Sequence, residues 1–293
     1  MPTFAKRLLL ACLLMFGLSQ LTAGCFSFRM SKEEVDKSFA ERALKPVFHD
    51  VQAGDRMIHY AAIGADSHAD SLPVAFFVHG SPGSWSAWVD FFKDDTLLRA
   101  VRMIAVDRPG FGHTSGFGRG EPSLEKQAAY LKPVVEAAKK GGQKLILIGH
   151  SLGGPLIARM AMDYPALVDG LIFVAASNDP ALEPHEWYRK PGNFFLVRWL
   201  IPRSLRASNQ EIIGLKPELQ RMLPLWKTIR QPAIVIQGTE DVLVAPGNGP
   251  FTRTRLTHST RAELRMVAGM NHFVPWSHPW LIRAAILQQV GAK

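Results

Sequence analysis

The sequence predicts an α/β domain with a mostly parallel central sheet and helices on both faces. Three observations predict it. Short, continuous apolar runs of strand length recur along the chain: "PVAFFVHG", "VRMIAVDRPG", "KLILIG", "GLIFVAA" and "PAIVIQG". Stretches whose apolar residues fall at helical spacing lie between them, and loop-forming Gly, Pro, Asp and Asn punctuate the alternation. A run that is apolar at every position suits a strand buried on both faces, and such strands occur in parallel sheets covered by helices. With 293 residues, 47% of them hydrophobic, the chain is long enough for one large domain with a full core. At 20% charged residues and without a long polar tract, the composition excludes a disordered protein.

The N-terminus is set apart. "MPTFAKR" carries Lys6 and Arg7, an uncharged apolar run "LLLACLLMFGLSQL" follows, and then "TAGC". A basic start, an apolar stretch and small residues read as a secretory signal over residues 1–24. The run is shorter than the roughly 20 residues of a spanning helix. Leu21-Thr22-Ala23-Gly24-Cys25 resembles the lipobox of bacterial lipoproteins, although Thr22 stands where an aliphatic residue is usual. The resemblance implies cleavage after Gly24, acylation of Cys25 and an exported protein held on a membrane of the bacterial cell envelope. An ordinary cleavable signal beside a chance cysteine is the plainer reading. Cys12 and Cys25 are the two cysteines, so the body holds no thiol for a disulfide or a cysteine-based metal site. The net charge is +9, and 9 less the 2 of Lys6 and Arg7 leaves +7. The basic residues are scattered, which argues against nucleic acid as a partner and suits a solvated surface near anionic lipid.

Residues 25–50 read as a tether with a short helix, and 51–293 as the domain. "RMIHYAAIG" (56–64) reads as its first strand, and the buried runs follow. Ser123 is the expected N-cap of a helix over "LEKQAAYLKPVVEAAKK", which Pro133 should kink. "PWLIRAAILQQV" closes the chain as a helix. Residues 178–231 contain no clear strand and read as a small helical lid inserted between two strands. Its aromatic residues Trp187, Tyr188, Phe194, Phe195 and Trp199 suit an apolar pocket, or equally the packing of the lid on the core.

The chemistry sits at the ends of the apolar runs. Gly149-His150-Ser151-Leu152-Gly153 is a G-x-S-x-G between a strand and a helix, where a cramped turn needs small neighbours and exposes the serine. A serine needs a base, and the base an orienting acid. His272 follows the last apolar run in "RMVAGMNHF", and Asp241 follows "PAIVIQG" in "IQGTEDVLV". The sequence from about Arg56 onward resembles the α/β-hydrolases, in which these motifs occur in the same order, Ser151, Asp241, His272. The resemblance implies an α/β-hydrolase fold and a Ser-His-Asp triad. "FFVHGSPGSW" is similar to the family's oxyanion-hole loop, implying that the backbone N–H groups of Ser81 and Leu152 bind the oxyanion, with His79 bracing the loop. "DRPGFGHTS" reads as scaffold and pocket wall. Asp179 is an alternative acid and Glu240 another, while His150 and His278 read as structural.

Relatives that open epoxides or displace halide carry aspartate at the elbow, so Ser151 points to acyl transfer. There is no H-E-x-x-H and no cysteine cluster, and "GFGHTSG" is not a dinucleotide fingerprint, so no metal and no cofactor are expected. The expected activity is hydrolysis of a small carboxylic ester through an acyl-enzyme. Hydrolysis of a C–C or amide bond, or an inactive binding lipoprotein, are the alternatives.

Overall fold

The computed structural model describes residues 28–64, 72–139, 142–184 and 201–291. The expected signal, Cys25 and the five lid aromatics lie outside the described residues. The described chain runs α1 (Lys32–Ser38), β1 (Val47–Ala53), β2 (Arg56–Ile63), β3 (Val74–Val78), α2 (Asp95–Ala100), β4 (Arg102–Val106), α3 (Leu124–Ala138), β5 (Leu145–His150), α4 (Gly153–Asp163), β6 (Gly170–Val174), α5 (Arg203–Met222), β7 (Ala233–Gly238), α6 (Asn248–Arg255), β8 (Ala262–Val267), α7 (Val274–Ser277) and α8 (Pro279–Val290).

One eight-stranded sheet has the order β1-β2-β4-β3-β5-β6-β7-β8. β1 and β2 form an antiparallel hairpin, β2 meets β4 antiparallel, and the remaining neighbours are parallel. The apolar runs are the strands β3 to β7, and every residue of these five is buried. Their side chains alternate between two cores, as pleating requires. Val74, Phe76 and Val78 of β3 face the core under α3 and α4, while Ala75 and Phe77 face the core under α2 and α8.

The boundary at residue 51 is corrected by the structure. β1 begins at Val47, and α1 plants Val35 and, at its C-cap, Phe39 in the core. β1 is exposed along most of its length. An edge strand with little burial gives no alternating apolar pattern, and for that reason the sequence read as a tether there. α3 starts as expected, with Ser123 Oγ accepting from the Lys126 N–H, and Pro133 lies inside a helix that runs as one element. The described part of the 178–231 insertion is helical and carries α5 and a 3₁₀ turn over Leu223–Thr228. That turn buries Trp226 against Phe173 of β6 and Phe251 of α6, with ring centroids 6.2 Å away in both cases.

Trp226→Ala removes the anchor that joins this turn to the sheet. The expected outcome is a loss of about 3–5 kcal/mol, read as a lowered midpoint in urea unfolding. A loss under 1 kcal/mol would show that the turn is not packed as described.

Candidate active site

β5 ends at His150 and α4 begins at Gly153, so the chain reverses within two residues. Ser151 has φ +54°, a backbone conformation that costs a non-glycine residue of order 1–3 kcal/mol. Its N–H donates to the Val174 carbonyl at 2.9 Å, and its carbonyl accepts from the Gly154 N–H at 2.9 Å, which holds the strained turn in place. The glycines are required by contact. A Cβ on Gly149 would lie 2.4 Å from the Gly153 oxygen, and one on Gly153 2.4 Å from the Val78 oxygen. The Leu152 N–H stands at the N-terminus of α4, where the helix offers it no partner of its own.

The loops after β7 and β8 bring Asp241 and His272 together. His272 Nδ1 is 2.8 Å from Asp241 Oδ2. Asp241 Oδ1 accepts from the N–H groups of Leu243 and Val244 at 3.0 and 2.8 Å, and Gln237 Nε2 donates to Oδ2 at 3.2 Å. Burial opposes the charge on Asp241. The hydrogen bonds from His272, Val244 and Leu243 outweigh it, so the carboxyl lies below its usual range. His150 turns away from the serine and donates from Nε2 to the His272 carbonyl at 3.0 Å, with the two rings 4.8 Å apart. Burial, reinforced by the neighbouring His272, pulls the His150 pKa down to about 3, so His150 is neutral beside the candidate base.

The loop after β3 closes over the elbow. A Cβ on Gly80 would lie 2.9 Å from Ser151 Cβ, so only glycine allows this approach. Arg108, fully buried, braces the loop: Nε donates to the His79 carbonyl and Nη2 to the Gly80 carbonyl, both at 2.9 Å. The Arg108 N–H donates to His79 Nε2 at 3.0 Å. That ring therefore carries its proton on Nδ1, which donates to the Gly80 carbonyl at 2.6 Å. In a planar trans peptide the C=O and N–H point opposite ways. With the Gly80 carbonyl held by Arg108 and His79, the Ser81 N–H is turned away from Arg108. The guanidinium charge is met by Glu211 of α5, which is 1% exposed and bonded through both oxygens at 2.7 and 3.0 Å, with Gln127 bridging the two side chains. Burial pushes the Glu211 carboxyl above its usual range, and Arg108 pulls it back.

Ser81, Ser151 and His272 line one pocket of about 600 Å³, along with Gly80, Leu205 and Trp276. The structure thus places Ser151, His272 and the Ser81 loop on one pocket, with Asp241 bonded to His272. It does not bring Asp179 to them: its Oδ1 accepts from the Ala181 N–H at 2.9 Å and its own N–H donates to Asn248. Glu240 is exposed, and His278 is the N-cap residue of α8. Sequence reasoning missed Arg108 as the brace, together with Glu211 and Gln237. A pair of charged residues, Asp107 and Arg108, directly after the buried run of β4 was the available signal for Arg108. Nothing local marks Glu211, more than a hundred residues away. Among the described residues no group of three or more His, Cys, Asp or Glu side chains is placed to hold a metal.

Residues 73–199 match the family model described as the alpha/beta hydrolase fold. The chain is 27% identical over 121 residues to an epoxide hydrolase of Caenorhabditis elegans, covering 39% of this chain and 27% of that protein. It is 29% identical over 164 residues to an esterase of Mycobacterium tuberculosis, covering 55% of this chain and 49% of that one. The chain thus spans half or less of the length of these two relatives. The crystal structure of a membrane phospholipase A, described as a bacterial virulence factor, superposes with a TM-score of 0.65 at 18% identity over the whole of both chains. The chain has the α/β-hydrolase fold.

Two outcomes are expected. Arg108→Met leaves Glu211 buried without its cation and should cost about 3–5 kcal/mol, while Arg108→Met with Glu211→Leu should regain most of that loss. A double-mutant cycle in urea unfolding checks this; additive losses would contradict the pair. The second concerns acid. His150 binds its proton near pH 3 when folded and near 6.5 when unfolded, so between those values the unfolded state holds more protons. Stability is therefore lost as pH falls through that window, by about 2 kcal/mol from pH 6.5 to 4.5. His150→Gln should lose that much less over the same interval.

Proposed function

We propose that the protein is an exported serine hydrolase that cleaves carboxylic esters. The observation that carries this reading is the strained Ser151 opening on the same pocket as His272, whose Nδ1 is held by Asp241 at 2.8 Å. In this reading the neutral His272 takes the Ser151 hydroxyl proton as Oγ attacks the ester carbonyl. Asp241 keeps the Nδ1–H tautomer and stabilises the imidazolium. The N–H groups of Ser81 and Leu152 receive the oxyanion, each worth about 3 kcal/mol in the transition state. The ester C–O bond then breaks, and the proton on His272 goes to the departing alcohol. Water, deprotonated by His272, adds to the acyl-enzyme and releases the acid and Ser151.

Serine at the elbow supports acyl transfer over epoxide opening, for which relatives use aspartate, although several of the relatives are epoxide hydrolases. Asp241 as the acid is supported by its contact with His272. The N-terminal sequence supports removal of residues 1–24 and acylation of Cys25, with the protein held on a membrane of the cell envelope. A C–C or amide bond could be cleaved by the same groups.

A fluorophosphonate probe should label the wild type and not Ser151→Ala. Equal labelling of both, or of neither, would sink the nucleophile assignment. Asp241→Asn should lower kcat for a p-nitrophenyl ester about 10⁴-fold, because the imidazole loses its required tautomer. Partition into a detergent phase should disappear in Cys25→Ser if that residue carries the anchor.

A further inference from the structure

The pocket that holds Ser151 opens through a rim of large apolar side chains. Phe28, Leu243, Phe273 and Trp276 line it and are 41%, 61%, 53% and 50% exposed. Val242, the neighbour of Leu243, is 91% exposed, and the rings of Phe273 and Trp276 lie 6.0 Å apart. Single exposed apolar residues are ordinary, but four gathered at one opening, with exposed Val242 next to one of them in the chain, mark a contact surface. They come from three separate segments. Val242 and Leu243 follow Asp241, Phe273 follows His272, and Phe28 comes from the N-terminal end of the described chain.

Phe28 decides what the rim meets. Cys25 lies three residues before it, and the apolar run "LLLACLLMFGLSQL" ends seven residues before it. An extended chain spans at most about 11 Å over three residues and about 25 Å over seven. In the anchored reading proposed above, with that run retained in a bilayer or cut so that Cys25 carries acyl chains, the attachment point lies within that reach of the pocket mouth. Arg29 and Lys32, both exposed, follow directly, and the chain carries +9 overall, which favours anionic headgroups.

We propose that this rim is a docking surface for a lipid bilayer, and that it makes bilayer-resident acyl esters the substrate class of the site. The docking stands on the rim and the chain's path; the substrate class rests on the ester-hydrolase reading above. Trp and Phe side chains bury apolar area among the headgroups, as interfacial anchors do. An ester drawn from the outer part of the bilayer then reaches Ser151 without its acyl chains crossing water.

The experiment uses the full chain reconstituted in phosphatidylcholine–phosphatidylglycerol vesicles. Val242→Cys carries an environment-sensitive fluorophore, the Cys12→Ser parent gives the labelling background, and brominated lipid is the quencher. Lys144→Cys, beside the start of β5 at the opposite end of the parallel strands, is the control. Quenching at position 242 and none at 144 is the expected result. Equal quenching at both, or none at 242 because a second copy or another part of the chain covers the rim, overturns the docking. In a second arm, Val242→Gln should lower the rate on diacyl phospholipid in vesicles about tenfold while leaving the rate on p-nitrophenyl butyrate unchanged. Equal rates on vesicles overturn the proposal. If the wild type hydrolyses neither ester yet position 242 is quenched, the ester reading and its substrate class fall, while the docking stands.

Discussion

Arg108 is a cation with no access to water, and the geometry of the pocket depends on how its charge is met. Its donors reach two carbonyls of the loop after β3, and its charge meets a carboxylate on α5. A buried guanidinium without that carboxylate would be costly enough to pull the region apart. With it, the loop is held by hydrogen bonds from below. The direction of one peptide plane, Gly80–Ser81, follows from that grip. The residue that reads in sequence as part of a turn is therefore the brace of the candidate oxyanion loop.

A second constraint is crowding at the elbow. Gly80, Gly149 and Gly153 all sit where a methyl group would overlap a neighbouring atom. The strain at the Ser151 backbone is tolerated because β5, β6 and α4 over-determine the turn through hydrogen bonds. Asp241 and His272 are held differently. They hang on loops at the far side of the sheet, tied by side-chain and backbone bonds to Asp241, so the two halves of the site meet across the ends of the parallel strands.

Much of this was legible in the sequence. The five fully buried strands announced themselves because nearly every position in them is apolar, and the positions of Ser151 after β5, Asp241 after β7 and His272 after the less buried β8 followed from the same reading. The N-terminal β1 was not legible: it is an edge strand, exposed along most of its length, and exposed strands carry no strong pattern. α1 was legible as a short helix, but with few buried side chains its packing on the core was not. The Arg108–Glu211 pair was illegible for a different reason. An ion pair between residues 103 apart leaves no periodic trace, and its two partners lie in elements that sequence reasoning assigned to scaffold and lid.

The placement of Glu211 has a consequence for how such a protein diversifies. The described part of the insertion adds no strand to the sheet, so a change in its length need not disturb the strand order. Yet α5 carries the carboxylate that neutralises the brace of the reacting centre. Variation in the insertion is therefore tethered at one point: side chains facing the pocket can be exchanged to suit new substrates, while an acid at position 211 has to remain, or leave together with Arg108. Leu205, which lines the pocket, and Glu211, which meets Arg108, thus lie on one helix under different constraints.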